Sequence, residues 1–128
     1  TVPYLTVVLR KAYGLGAQAM AGGSFRSPLL TVAWPTAELG PMGLEGAVRL
    51  GFRRELDAVA DPAEREALFR RLVDRLYERG KAVNAAAGFE VDDVIDPADS
   101  RARIVGVLRA AAAPAPRAGR KRPCVDAW

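Results

Sequence analysis

The sequence predicts an α/β fold in which short buried strands alternate with helices. Three observations carry the prediction. β-branched and apolar residues gather in runs too short for helices, Val2-Pro3-Tyr4-Leu5-Thr6-Val7-Val8-Leu9 and Leu29-Leu30-Thr31-Val32-Ala33-Trp34. The first run leads through a glycine turn, Tyr13-Gly14-Leu15-Gly16, into Ala, Gln and Met residues that favour helix. Two Asp-Pro pairs, Asp61-Pro62 and Asp96-Pro97, then mark helix starts.

Composition narrows the possible chemistry. With 50% hydrophobic and 27% charged residues, a chain of 128 residues makes one domain or part of one. No apolar run approaches the roughly 20 residues of a membrane helix, and no basic-then-apolar N-terminal segment suggests export. A cytoplasmic protein without a membrane partner is expected. The chain has no His and one Cys, Cys124, which excludes an internal disulfide, a zinc site of the usual kind and any His-dependent triad. No metal is expected, and catalysis must use backbone, carboxylates or cations. The net charge of +4 is local, because Arg117, Arg120, Lys121 and Arg122 against Asp126 place +3 of it in the last dozen residues. No aromatic stacking surface accompanies those cations before Trp128, so no nucleic-acid partner is expected.

The elements follow in order. Val2 to Leu9 reads as a buried strand ending at Arg10-Lys11; lacking alternation, it suits a strand covered on both faces of a parallel sheet. Such a strand needs neighbours that the chain barely provides, so an N-terminal truncation is expected. Gly14-Leu15-Gly16 then opens a helix whose first N–H groups lack intrahelical partners and carry partial positive charge. Leu29 to Trp34 is a second strand, and Ala37-Glu38-Leu39 a short extended piece before Gly40-Pro41. Met42 to Phe52 reads as a helix whose three glycines, Gly43, Gly46 and Gly51, suggest close approach to another element.

Asp61-Pro62-Ala63-Glu64 supplies an N-cap, a proline at the first helical position and an acid in the first turn. The helix it starts carries Leu68, Phe69, Leu72, Val73, Leu76 and Tyr77 as one apolar stripe, with Arg and Glu or Asp alternating on a solvated face, and Gly80 ends it. Lys81 to Ala87 is a short helical piece and Phe89 to Ile95 an extended one. Its Asp92 and Asp93, adjacent on an extended chain, point to opposite faces, so they are surface or capping groups rather than a proton-sharing pair. Ser100 to Ala113 forms the last helix. Residues 1–113 make the domain portion, and 114–128 a basic tail without fixed structure.

Four motifs in this order resemble one family. Arg10-Lys11-Ala12-Tyr13-Gly14-Leu15-Gly16-Ala17, Ala33-Trp34-Pro35-Thr36-Ala37-Glu38, Met42-Gly43-Leu44-Glu45-Gly46-Ala47-Val48 and Val91-Asp92-Asp93-Val94-Ile95-Asp96-Pro97 look like the C-terminal part of the carboxyltransferase (beta) subunit of biotin-dependent acyl-CoA carboxylases. The resemblance spans residues 2 to 109. It implies a partial crotonase-like fold of ββα units with extra C-terminal helices, and transfer of carboxylate from carboxybiotin to the α- or vinylogous carbon of an acyl-CoA. It also implies that the biotin nitrogen acts as base, which accounts for a chain without histidine.

Carried over residue by residue, the resemblance places the donors to the ureido oxygen of biotin at the backbone N–H groups of Leu15 and Gly16, or Ala17 if the register shifts by one. Tyr13, Gly14, Ala17 and Gln18 become substrate-binding positions, Gln18 lining the acyl pocket. Propionyl-type members have aromatic-Gly-Gly-Ala here and methylcrotonyl-type members Tyr-Gly-Ala-Gly, so Tyr13-Gly14-Leu15-Gly16 looks closer to the second. An extra residue between Met20 and Trp34 and a different tail separate this chain from propionyl-type members. The implied cofactor is biotin carried on a partner protein, with acyl-CoA as substrate. The implied partners are the N-terminal half of the carboxyltransferase subunit, a biotin carboxylase and biotin carrier subunit, and further copies in a homo-oligomer. The alternative is a noncatalytic crotonase-like scaffold module whose glycine turn is structural.

Overall fold

The computed structural model describes residues 3–111 and Gly119. The expected tail at 114–128, apart from Gly119, lies outside the described residues. The chain begins with two consecutive ββα units. Strand β1 (Leu5–Val8), strand β2 (Lys11–Tyr13) and helix α1 (Gly14–Met20) form the first; β3 (Leu30–Ala33), β4 (Glu38–Gly40) and α2 (Leu44–Gly51) form the second. β1 pairs parallel with β3 in the register Leu5↔Leu30 to Val8↔Ala33, while β2 pairs parallel with β4 in the register Lys11↔Glu38 to Tyr13↔Gly40. A short strand β5 (Asp93–Val94) adds to β3, also parallel.

The strand expected over Val2 to Leu9 is β1, over Leu5–Val8, whereas β2, beyond it at Lys11–Tyr13, is a strand the sequence did not mark, and it belongs to a different sheet. At Leu9-Arg10 the chain leaves the three-stranded sheet for the two-stranded one, and the second unit makes the same passage at Trp34 to Ala37. Three hydrogen bonds hold the two passages side by side. Trp34 N–H donates to the Val8 carbonyl at 2.9 Å, Glu38 N–H to the Arg10 carbonyl at 2.9 Å, and Thr36 Oγ1 to the Leu9 carbonyl at 2.7 Å. The strand covered on both faces is β3, the central one, where Thr31, Val32 and Ala33 are buried; β1 is an edge strand, half-buried over Leu5 to Val7.

Thr31, a fully buried polar residue, shows how the third strand is fixed. Its hydroxyl donates to the Phe25 carbonyl at 2.5 Å, its N–H donates to Asp92 Oδ2 at 2.7 Å, and its carbonyl accepts from Asp92 N–H at 2.8 Å. Asp93 turns the other way, accepting from Arg103 at 2.7 Å. The two aspartates thus serve separate structural bonds, as their alternation predicts.

Helices α3 (Arg53–Asp57), α4 (Pro62–Gly80), α5 (Ala82–Ala87) and α6 (Ser100–Ala110) complete the chain. The helix expected over Met42 to Phe52 breaks at Phe52, whose φ of −116° and ψ of 24° separate α2 from α3. Asp61 caps α4 through a 2.9 Å bond from Glu64 N–H, and Asp96 caps a 3-10 turn over Pro97–Asp99 that leads into α6. The α4 stripe packs Leu72 against Val48 and Leu56, with Phe52, Leu68, Phe69, Val73 and Leu76 around them. Each fully buried Leu or Val contributes about 1.5–3 kcal/mol. The exposed Glu66–Arg70 pair, at 2.9 Å, contributes at most about 1 kcal/mol, so the stripe and not the charges sets the position of α4.

The glycines of α2 do not mark a close approach. Among the described residues nothing lies within 4 Å of a Cβ built at Gly43 or Gly51, and at Gly46 only the Met42 methyl comes to 4.0 Å. The close approach is at Gly80, where a Cβ would stand 2.3 Å from the Leu39 carbonyl oxygen. There α4 ends directly against β4. No helix among the described residues is long and apolar enough to cross a membrane.

Candidate functional site

Strand β2 ends at Tyr13 and helix α1 begins without a linker, so one residue must reverse the chain. That residue is Gly14, at φ +63°, a left-handed conformation that costs an L-residue about 1–2 kcal/mol. Space is tight as well, because a Cβ on Gly14 would lie 3.0 Å from the Pro41 carbonyl oxygen, which would have to yield by a few tenths of an ångström. With Gly14 in a non-helical conformation, the first N–H groups of the helix proper are those of Leu15, Gly16 and Ala17. No side chain among the described residues caps this end. Among the described residues, no turn, loop or cap carbonyl accepts from Leu15 or Gly16.

Gly16 differs from Gly14. Nothing lies within 4 Å of a Cβ built there, so packing does not require glycine at this position among the described residues. Two unpartnered N–H groups beside that open space make a place where an oxygen bearing negative charge gains both hydrogen bonds and the favourable end of the helix dipole.

The surroundings separate the six residues expected at the site. Gly14, Leu15 and Gln18 line a cleft of about 810 Å³ whose other walls come from Leu44 and Ala47 on α2, Phe52, and Leu76 on α4. Buried Leu39 lies at its floor, and exposed Arg26, Arg79 and Glu90 stand at its rim. Leu15 is 81% exposed. Ala17 turns inward against the sheet core. Tyr13 is turned towards β4, its hydroxyl donating to Glu38 Oε2 at 2.6 Å and its ring lying 3.3 Å from where a Cβ of Gly40 would be. Burial, reinforced by the Glu38 hydrogen bond and charge, pushes the Tyr13 phenol well above its ordinary range, so it stays protonated and donating.

Glu38, Pro41 and the two rim arginines were not singled out by sequence. For Glu38 a signal existed in the parallel between Lys11-Ala12-Tyr13 and Glu38-Leu39-Gly40, the last strands of two successive ββα units. Among the described residues, no three His, Cys, Asp or Glu side chains gather in a metal-binding arrangement.

The carboxyl transferase domain family matches residues 1–123. This chain belongs to that family. The 12S subunit of methylmalonyl-CoA carboxyltransferase from Propionibacterium freudenreichii subsp. shermanii is 44% identical to it over 112 residues, covering 84% of this chain and 20% of that subunit. A single-chain, multi-domain long-chain acyl-CoA carboxylase has a similar structure, with TM-score 0.69 and 62% identity, over 84% of this chain and 10% of that one. The transcarboxylase 12S hexamer with methylmalonyl-CoA and methylmalonic acid bound superposes with TM-score 0.74 and 37% identity, over 97% of this chain and 24% of that one. The carboxyl transferase domain here thus spans about a fifth of the curated relatives it matches. The four motifs read in sequence and the crotonase-like ββα repeat agree with this membership.

Proposed function

We propose that this chain supplies the carboxybiotin side of a carboxyltransferase that moves carboxylate from carboxybiotin to the α- or vinylogous carbon of an acyl-CoA. The observation that carries the reading is the head of α1, where two N–H groups with no turn, loop or cap acceptor among the described residues stand beside space that those residues leave open at Gly16. These residues fit a ureido group, since a planar urea oxygen needs donors and room and no side chain of its own. Carboxybiotin, when bound, supplies the carboxylate and the nitrogen base for the substrate proton. The chain itself, which has no His, contributes position and electrostatics. Leu15 and Gly16 N–H donate to the oxygen on which negative charge grows, and because the backbone is already folded they need no reorganisation as it does. Gln18, at the edge of the cleft, faces the acyl group.

The 62% identity to a long-chain acyl-CoA carboxylase, against 37% to the methylmalonyl-CoA-bound transcarboxylase, favours a long acyl chain. The partners of this reading are the N-terminal half of a carboxyltransferase subunit, a biotin-bearing subunit and further copies of itself; a hexamer is the described assembly of the transcarboxylase relative.

The test is Gly16→Pro in the assembled carboxyltransferase. Proline deletes one donor yet is tolerated in a first helical turn. Loss of one such donor costs about 2.7–4 kcal/mol, a hundred- to thousandfold in rate. Leu15→Ala, which keeps its N–H, retains most activity. A proline variant that folds, assembles and transfers carboxylate at the unmodified rate returns the turn to a structural role, and with it the chain to a noncatalytic scaffold.

A further inference from the structure

We propose that Glu38 is a positioning residue for the carboxyl transfer, holding the donor turn in place through Tyr13. The inference rests on the reading of the Leu15 and Gly16 N–H groups as the oxyanion donors. Its own evidence lies one strand away from them. Among the described residues no side chain caps α1, and the pivot of the turn, Gly14, is the most permissive residue for the backbone. What fixes it is β4. Tyr13, immediately before the pivot, pairs with Gly40, and the absence of a side chain at Gly40 lets the Tyr13 ring come close to that strand, 3.3 Å from where a Cβ would be. The ring's hydroxyl then reaches Glu38 Oε2 at 2.6 Å.

Glu38 is itself held at both ends. Its N–H donates to the Arg10 carbonyl at 2.9 Å, and its backbone bridges to Lys81 at the start of α5. One residue further along β4, Leu39 meets Gly80 at the end of α4, too closely for any Cβ. Glu38 is therefore a fixed anchor and Tyr13 the strut that transmits its position to the donors. This assigns Tyr13 a supporting part, because its hydroxyl is engaged by Glu38 and not directed to the cleft.

A displacement of about 1 Å at a reacting group can cost on the order of a hundredfold in rate. In the assembled carboxyltransferase, Glu38→Ala and Tyr13→Phe are each expected to lower kcat by roughly ten- to a hundredfold, with the KM for acyl-CoA changed less than about threefold. The double variant is no slower than the worse single one, because both remove the same strut. Glu38→Gln, whose amide oxygen still accepts from the phenol, restores most of the rate. Melting curves and size-exclusion profiles of each variant establish that assembly is intact; if Glu38→Ala fails to assemble, Tyr13→Phe and Glu38→Gln carry the comparison. Additive losses, a rise in KM with kcat unchanged, or Glu38→Gln as slow as Glu38→Ala would each overturn the proposal. Failure of the parent reading is distinct, since it appears as full activity in Gly16→Pro whatever the Glu38 variants do.

Discussion

Gly14 and Gly16 differ by one intervening residue and by opposite structural demands, and replacing each by alanine separates them. At Gly14 the φ of +63° costs alanine about 1–2 kcal/mol. The new Cβ, 3.0 Å from the Pro41 carbonyl oxygen, adds an overpacking cost of about 1–3 kcal/mol unless β4 yields. At Gly16 the Cβ meets nothing within 4 Å, so alanine gains up to about 1 kcal/mol from helix propensity. The two variants should therefore differ by about 2–6 kcal/mol. At roughly 4 °C per kcal/mol for a domain of this size, their melting midpoints by far-UV circular dichroism should differ by some 8 °C or more. Gly14→Ala melts below the unmodified protein and Gly16→Ala at or slightly above it. Midpoints that move together, or a Gly14→Ala variant as stable as the unmodified protein, would refute the account of the turn.

Two further outcomes follow from named contacts. Because the Tyr13 phenol is held well above its ordinary range by burial and Glu38, the native state keeps its proton where the unfolded chain loses it. Its contribution to stability is complete below about pH 10 and is lost as the pH rises beyond; melting midpoints should fall more steeply above that pH in the unmodified protein than in Tyr13→Phe. Asp61→Ala removes the acceptor of the 2.9 Å bond from Glu64 N–H and should lower stability by about 1 kcal/mol, read as a drop in urea midpoint at constant slope, whereas Asp61→Asn restores most of it.

Local chemistry made much of the fold legible. Asp61-Pro62 starts α4 because capping and a proline at the first helical position act within one turn, and the Leu68 to Leu76 spacing places the stripe that packs on Val48. The misreadings share a different cause. Lys11–Tyr13 is charged at one end and only three residues long, so nothing local marks it as a strand; its hydrogen bonds come from Glu38–Gly40, far along the chain. Likewise the α2 glycines and Gly80 look alike in sequence, and only the arrival of β4 at the end of α4 makes Gly80 the one without room.

The same distinction governs the site. A Gly-x-Gly turn between strand and helix is most often a packing device, and at Gly14 that explanation suffices, because the backbone conformation favours glycine and the Pro41 carbonyl leaves little room for a Cβ. At Gly16 it does not, since among the described residues nothing fills the space a side chain would occupy and no loop or cap carbonyl accepts from the backbone donor there. A residue whose side chain is missing without a steric reason, next to N–H groups missing a partner, is accounted for when something outside these residues supplies the acceptor. On the reading proposed above, that acceptor is the ureido oxygen of carboxybiotin, and the turn meets it with backbone alone.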